Sequence, residues 1–423
     1  MNVSADQVRA ATSIAAAVIT ADSLPPLRLH QSPRAAHRSR TAWFAPLAAA
    51  AAVVILVVSS ATAGSWLGRP GEAQPSAAPQ AVPAGAFSGV PPYYVALGNP
   101  SLAVVRATAT GATLVRIPTH VPFVGVTGAA DDRTFVLDAQ RQVMGPTVLW
   151  PDQPAFYLLK LTASGTEASY GRLAIPALPK GFAVTGLALS PDASKLAIAM
   201  DTDPDNKLGQ MEIRIYTLAT GAVRTWLASE SGDSEDPGGF TGSGTDGSES
   251  ISWTSDSRTL AFDWENRDYI GVRVLDTAAG GDNLIADSRL AVIKVQFGSR
   301  TPFVRPSKSN DDVSPCVTDA IISGDGSSIV CGYTTDVMLS KNSFATTSGF
   351  VRYSTATGKQ AGILGVTTFQ NQAGGDISLF WVNSTGTVLI GEPLTPNGPQ
   401  AGVIRGDKFT PLPGVGDLNG VAW

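Results

Sequence analysis

The chain has 423 residues, of which 43 are glycine and 29 proline; only 15% are charged, and the net charge is −5. A chain this long outgrows one ordinary core, and so many turn formers with so little charge favour short strands, either in two domains or in one radially repeated fold. The first 40 residues hold five arginines against two aspartates, so the rest is more acidic than the total, which excludes the basic footprint that nucleic acid requires.

In chain order, residues 1–42 form a leader containing Arg9, Arg28, Arg34, Arg38 and Arg40. Within it Val8, Ala11, Ala15, Val18 and Ile19 share one face of a short helix over 4–21, which Ser4 can cap and which Pro25-Pro26 ends. Residues 43–67 (WFAPLAAAAAVVILVVSSATAGSWL) carry no charge and are long enough for a transmembrane helix, with Trp43 and Trp66 near the two interfaces. The preceding arginines place the leader in the cytoplasm and the remainder outside. A cleaved signal peptide is the alternative, because Ala61-Thr62-Ala63 fits a small-x-small cleavage site. Residues 68–92, with six prolines among small residues, form a semi-rigid spacer.

From Tyr93 to Trp423 two kinds of unit alternate. One is an apolar strand, a tight polar turn and a second strand, as in GLALSPDASKLAIAMD (186–201), SISWTSDSRTLAFDW (250–264) and DAIISGDGSSIVCGY (319–333). The other is two strands about a Thr/Ser/Ala-Gly turn, as in IRIYTLATGAVRTWL (213–227) and VRYSTATGKQAGIL (351–364). Turn residues Asp131, Asp192, Asp256, Asp325 and Asn383 recur at intervals near sixty, and four antiparallel strands per interval is the signature of propeller blades. Strands left over at the two ends, three near 93–117 and one at 418–423, complete a sixth blade and close the ring. The expected fold is therefore an all-β, six-bladed β-propeller after a single transmembrane helix.

Ser190-Pro191-Asp192 with Lys195-Leu196-Ala197 resembles the "SPDG…LA" motif of WD-repeat-like propellers of the TolB type, and Ser323-Gly324-Asp325-Gly326 is similar to it. Ala193 and Ser257 stand where that motif has glycine. The layout of leader, anchor, spacer and propeller also resembles membrane proteins of the actinobacterial kind, some of which are similar to regulators of sigma factors.

Loops on a rigid scaffold are the expected seat of function, and the long connections 140–154, 202–210, 229–248, 287–316 and 335–347 all fall at one end of the blades. One of them carries a metal-ligand spacing: Asp201, Asp203, Asp205 and Glu212 stand at positions 1, 3, 5 and 12 of a calcium-loop pattern, so calcium is the cofactor it implies. An acidic surface turn is the plainer reading of the same residues. Glu249, Asp319, Asp376 and Asp417 each precede an innermost strand and cluster at the channel mouth, where they can attract a cation or a basic peptide, or serve only as solvated loop ends. Cys316 and Cys331, the only cysteines, lie beyond the membrane segment and are expected to form a disulfide. Catalysis has little to use, since His120 is the only histidine outside the leader and no nucleophile elbow accompanies it. The function this implies is a membrane-anchored, extracytoplasmic binding or sensing module for a protein, peptide or glycan. The alternatives are a propeller enzyme using the channel-mouth carboxylates, and a signalling protein with output through the leader.

Overall fold

A computed structural model describes residues 87–98, 102–117, 122–139, 154–178, 182–202, 211–228, 251–265, 269–296, 316, 320–340, 343–370, 377–395, 398–414 and 420–423. All belong to the unit Pro79–Trp423. The leader helix over 4–21, the apolar segment 43–67 and most of the 68–92 spacer lie outside the described residues. Among the described residues no helix is long and apolar enough to cross a membrane.

Short strands buried at consecutive positions build the inner part of the blades, because one row of each strand faces the blade before it and the other row the blade after. Blade 1 begins with β1 (Tyr93–Gly98), β2 (Leu102–Ala107) and β3 (Thr113–Ile117). Blade 2 is β4 (Phe123–Gly128), β5 (Thr134–Ala139), β6 (Ala155–Leu161) and β7 (Ala168–Arg172). Blade 3 is β8 (Phe182–Leu189), β9 (Lys195–Thr202), β10 (Met211–Thr217) and β11 (Val223–Ala228). Blade 4 is β12 (Ile251–Trp253), β13 (Thr259–Glu265), β14 (Tyr269–Asp276) and β15 (Ser288–Gln296). Blade 5 is β16 (Ala320–Ile322), β17 (Ser328–Ser340), β18 (Ser343–Ser354) and β19 (Gln360–Gln370). Blade 6 starts with β20 (Ser378–Val382) and β21 (Val388–Glu392), carries a small hairpin of β22 (Leu394–Thr395) and β23 (Gly398–Pro399), and ends with β24 (Gly402–Arg405) and β25 (Lys408–Pro411). Finally β26 (Val421–Ala422) returns to blade 1, pairing antiparallel with β1 through Val95↔Ala422 and Ala96↔Val421. All six blades are four-stranded and antiparallel.

The core is distributed between blades. Six apolar clusters each join two neighbours, from Val105 and Leu137 between blades 1 and 2 round to Ala96 and Val403 between blades 6 and 1. The ring therefore has no single centre of hydrophobicity, and each blade is stable because both its faces are covered. Residues of the expected spacer take part: Phe87 and Val90 pack into the cluster between blades 6 and 1, so the propeller body starts before Tyr93.

Three details differ from the sequence reading. The stretch 335–347, read as a loop, is mostly strand: β17 and β18 run 13 and 12 residues and pair from Ser328↔Ser354 to Met338↔Phe344, then after a register shift at Ser340↔Ser343. Its Ser/Thr content reads as loop, but residues such as Thr346 and Ser348 are buried and satisfied by the ladder and by side-chain bonds like Ser348 Oγ to Thr367 Oγ1 (3.1 Å). The unit VRVLDTAAGGDNLIA (272–286), by its pattern another pair of strands about a turn, instead ends in a one-turn helix, α1 (Leu284–Asp287), and the outer strand follows it, so 288–296 is not loop either. Asn283 starts this helix by accepting from the amides of Ile285 and Ala286, a side-chain cap that a β pattern conceals. Lastly, Asn383 is not the counterpart of Asp192. The left-handed turn residues Ala193 (φ 54°), Ser257 (φ 55°), Gly326 (φ 70°) and Gly386 (φ 70°) align the turns so that Asn383 matches Ser190. Its Oδ1 accepts from the amides of Thr387 (2.9 Å) and Val388 (3.1 Å), doing alone what Ser190 and Asp192 do together.

Candidate functional site

The innermost strands β26, β4, β8, β12, β16 and β20 touch one another in that order and enclose the axis. At the end carrying the turns between first and second strands they leave a cavity of about 380 Å³. All six blades contribute to its wall, through Val126, Leu187, Ser252, Ile321, Phe380 and Val421 among others, and the turns form its rim through Pro191, Ser255, Gly324 and Ser384. Trp253, Trp381 and Trp423 all line it, although the turns align Trp253 with Val382 and leave Trp381 one position earlier.

The rim is held by hydrogen bonds running from blade to blade. The amides of Ala130, Ser255 and Asp325 donate to the carbonyls of Pro191 (3.0 Å), Gly324 (2.7 Å) and Ser384 (2.8 Å) in the following blades. Trp253 Nε1 donates back to Ala188 O of blade 3 (3.1 Å), and Lys195 Nζ lies 5.7 Å from the Trp253 ring centre while donating to Ser257 O (2.8 Å). Trp423 stacks on Tyr94 (centroids 5.0 Å apart) and lies 5.8 Å from Phe380. Two wall hydroxyls are committed too: Thr127 Oγ1 and Ser252 Oγ accept the amides of Leu189 and Ile322, both at 3.0 Å. What remains for a ligand is an aromatic and aliphatic surface with fixed walls, the ordinary make-up of a binding pocket.

The turn carboxylates behind the rim are structural. Burial would raise the Asp192 carboxyl, but bonds from Ser190, from the amide and hydroxyl of Ser194 and from Ser257 outweigh it and hold it down at about 2. The Thr254 hydroxyl and the amides of Arg258 and Thr259 lower Asp256 in the same way, and Ser323 with Ser327 lowers Asp325. These groups fix turns; they are not poised for acid–base work.

Of the expected calcium ligands, Asp201 lies in β9 with its backbone opposite Met211, while Asp203 and Asp205 lie outside the described residues. Glu212 sits in β10, 3% exposed, with its Oε1 2.7 Å from Arg214 Nε, so its carboxylate already neutralises a guanidinium. Among the described residues no three His, Cys, Asp or Glu side chains cluster as a metal site. Glu249, Asp319, Asp376 and Asp417 lie outside the described residues, as does His120. Cys316 and Cys331 are joined (S–S 2.03 Å) and buried at the junction of blades 4 and 5. The axial cavity itself was hidden from sequence reasoning, because its wall is assembled from short pieces of six strands spread over the whole repeat.

No protein-family profile and no curated protein matches the chain. Solved structures similar to it include TolB from Acinetobacter baumannii, at 12% identity and TM-score 0.37, covering 78% of this chain and 65% of that one. The Dos1 propeller matches at 10% identity and TM-score 0.40, with 76% and 78% coverage. A puromycin-hydrolyzing peptidase from Mycobacterium tuberculosis matches at 12% identity and TM-score 0.32, covering 61% of this chain and 30% of that one. The chain thus spans less than two thirds of the length of the first and third of these proteins, and the likeness extends to the β-propeller fold and no further.

Proposed function

We propose that this chain is a membrane-anchored, extracytoplasmic binding module whose propeller captures a protein or peptide partner at the axial cavity. The observation that carries the binding reading is that cavity: about 380 Å³, walled by Trp253, Phe380, Trp381 and Trp423, with the Trp253 indole, Thr127 and Ser252 bonded within the ring. Preformed aromatic walls offer contact area at little cost in side-chain freedom, which suits recognition. The membrane placement rests on the uncharged run 43–67 and the arginines before it.

A photo-reactive side chain installed at Ser384, on the rim, tests this in cells expressing the full-length protein. The expected result is a discrete covalent adduct with a protein outside the membrane that disappears when Phe380→Ala is added without change in melting temperature. An adduct pattern indifferent to Phe380→Ala would remove the cavity from the function. Adducts only with cytoplasmic proteins would overturn the topology.

A further inference from the structure

The acidic side chains at the blade turns differ in one respect. Asp131, Asp192, Asp256 and Asp325 each accept hydrogen bonds from groups of their own turn, such as the Thr134 amide on Asp131 (2.8 Å) and the Ser327 amide on Asp325 (2.9 Å). Asp132 is half-buried, yet among the described residues its carboxylate accepts no such bond. It occupies the left-handed position of the blade 2 turn (φ 58°), where Ala193, Ser257, Gly326 and Gly386 stand in blades 3 to 6. It also lines the axial cavity, where it is the one ionisable residue of the wall among the described residues.

Such a carboxylate is costly to hold beside apolar walls without a partner. Burial raises its carboxyl, and the neighbouring Asp131 raises it further, with Arg133 opposing. A cation arriving at Asp132 relieves both effects. The turns form the rim and the strands the depth, so charge is wanted at the mouth and apolar bulk within.

Resting on the binding reading above, we infer that the axial cavity selects a primary ammonium carried at one end of an aromatic or branched apolar body. The body packs among Trp253, Phe380, Trp381 and Trp423, and the ammonium meets Asp132 at the rim. A free amine and the N-terminal residue of a peptide both present this chemistry.

Calorimetric titration of the full-length protein with tryptamine, indole-3-propanamide and indole-3-propanoate separates charge from shape. Tryptamine should bind about tenfold more tightly than the amide, and the anion most weakly. In Asp132→Asn, which tolerates the left-handed turn, tryptamine should fall to the affinity of the amide while the amide is unchanged. Equal binding of amine and amide, or a preference that survives Asp132→Asn, overturns the inference and leaves the cavity as a neutral pocket. If none of the three binds, the cavity reading fails with it. The peptide Trp-Ala-Ala amide, free or N-acetylated, identifies the source: tighter binding of the free form than of tryptamine points to a peptide end, weaker binding to a free amine. Equal binding of the free and acetylated forms counts against the ammonium.

Discussion

Ala193 and Ser257 hold left-handed backbone (φ 54° and 55°) at positions filled by glycine in blades 5 and 6. A Cβ costs about 1–2 kcal/mol in that conformation. Ser257 has compensation, since its Oγ accepts the amide of Asp192 in blade 3 (3.4 Å); Ala193 has only a methyl group to offer. Ala193→Gly is therefore expected to stabilise the protein by about 1 kcal/mol in a urea melt, less the added freedom of glycine in the unfolded chain. An unchanged or lowered midpoint would show that the Ala193 methyl contributes packing. In the same turn Asp192, held at about 2, lies below its unfolded value near 4. A carboxyl depressed by folding stabilises the native state above its unfolded pKa and loses that contribution as pH falls through the folded value. Stability should thus decline between about pH 4 and 2, and Asp192→Asn should flatten that part of the curve, measured by thermal melts across pH. A slope identical to that of the parent would mean that other carboxylates govern acid unfolding.

At the scale of elements, what could be read from the sequence followed the strength of local pattern. GLALSPDASKLAIAMD and SISWTSDSRTLAFDW pair alternating apolar strands with a turn that states its own geometry, so their strands and register were legible. The long β17–β18 hairpin was not, because residues 334–348 are rich in Ser and Thr and become strand only through the ladder that pairs them. In blade 4, one asparagine cap on α1 shifted the outer strand beyond its expected place. The site was less legible than the fold: the expected ligands were acids on long connections, whereas the cavity wall is mostly apolar residues that read as ordinary strand interior. Nothing in the sequence sets Asp132 apart from Asp131 beside it, and only the assembled ring gives it a separate position. The Cys316–Cys331 link closes a 15-residue separation onto β17. Unfolded, non-reduced protein is expected to show no reactive thiol by mass after alkylation, and reduction should cost about 3 kcal/mol. Two labelled cysteines before reduction would disprove the pairing.

The whole molecule depends on β26. Removing residues 420–423 deletes two ladder partners of β1, the Gly420 carbonyl that accepts from Leu97 N (2.9 Å), and the buried Trp423 stacked on Tyr94. Loss of one buried Trp alone costs about 3–5 kcal/mol, and an open strand edge adds a tendency to aggregate. The truncated full-length chain should melt well below the parent and bind more of a hydrophobic dye; a melting temperature within a degree or two of the parent would contradict a closed ring. Closure between β1 and β26 also puts the order of synthesis at odds with the order of assembly. Val95 leaves the ribosome more than three hundred residues before Ala422, its partner, which at 5–20 residues per second is a wait of roughly half a minute. Throughout that interval blade 1 presents an uncovered sheet edge and the apolar face that Trp423 will later cover. The ring cannot lock until β26 has been made, which gives chaperones a defined window in which the whole repeat is held open by nothing more than the absence of that strand.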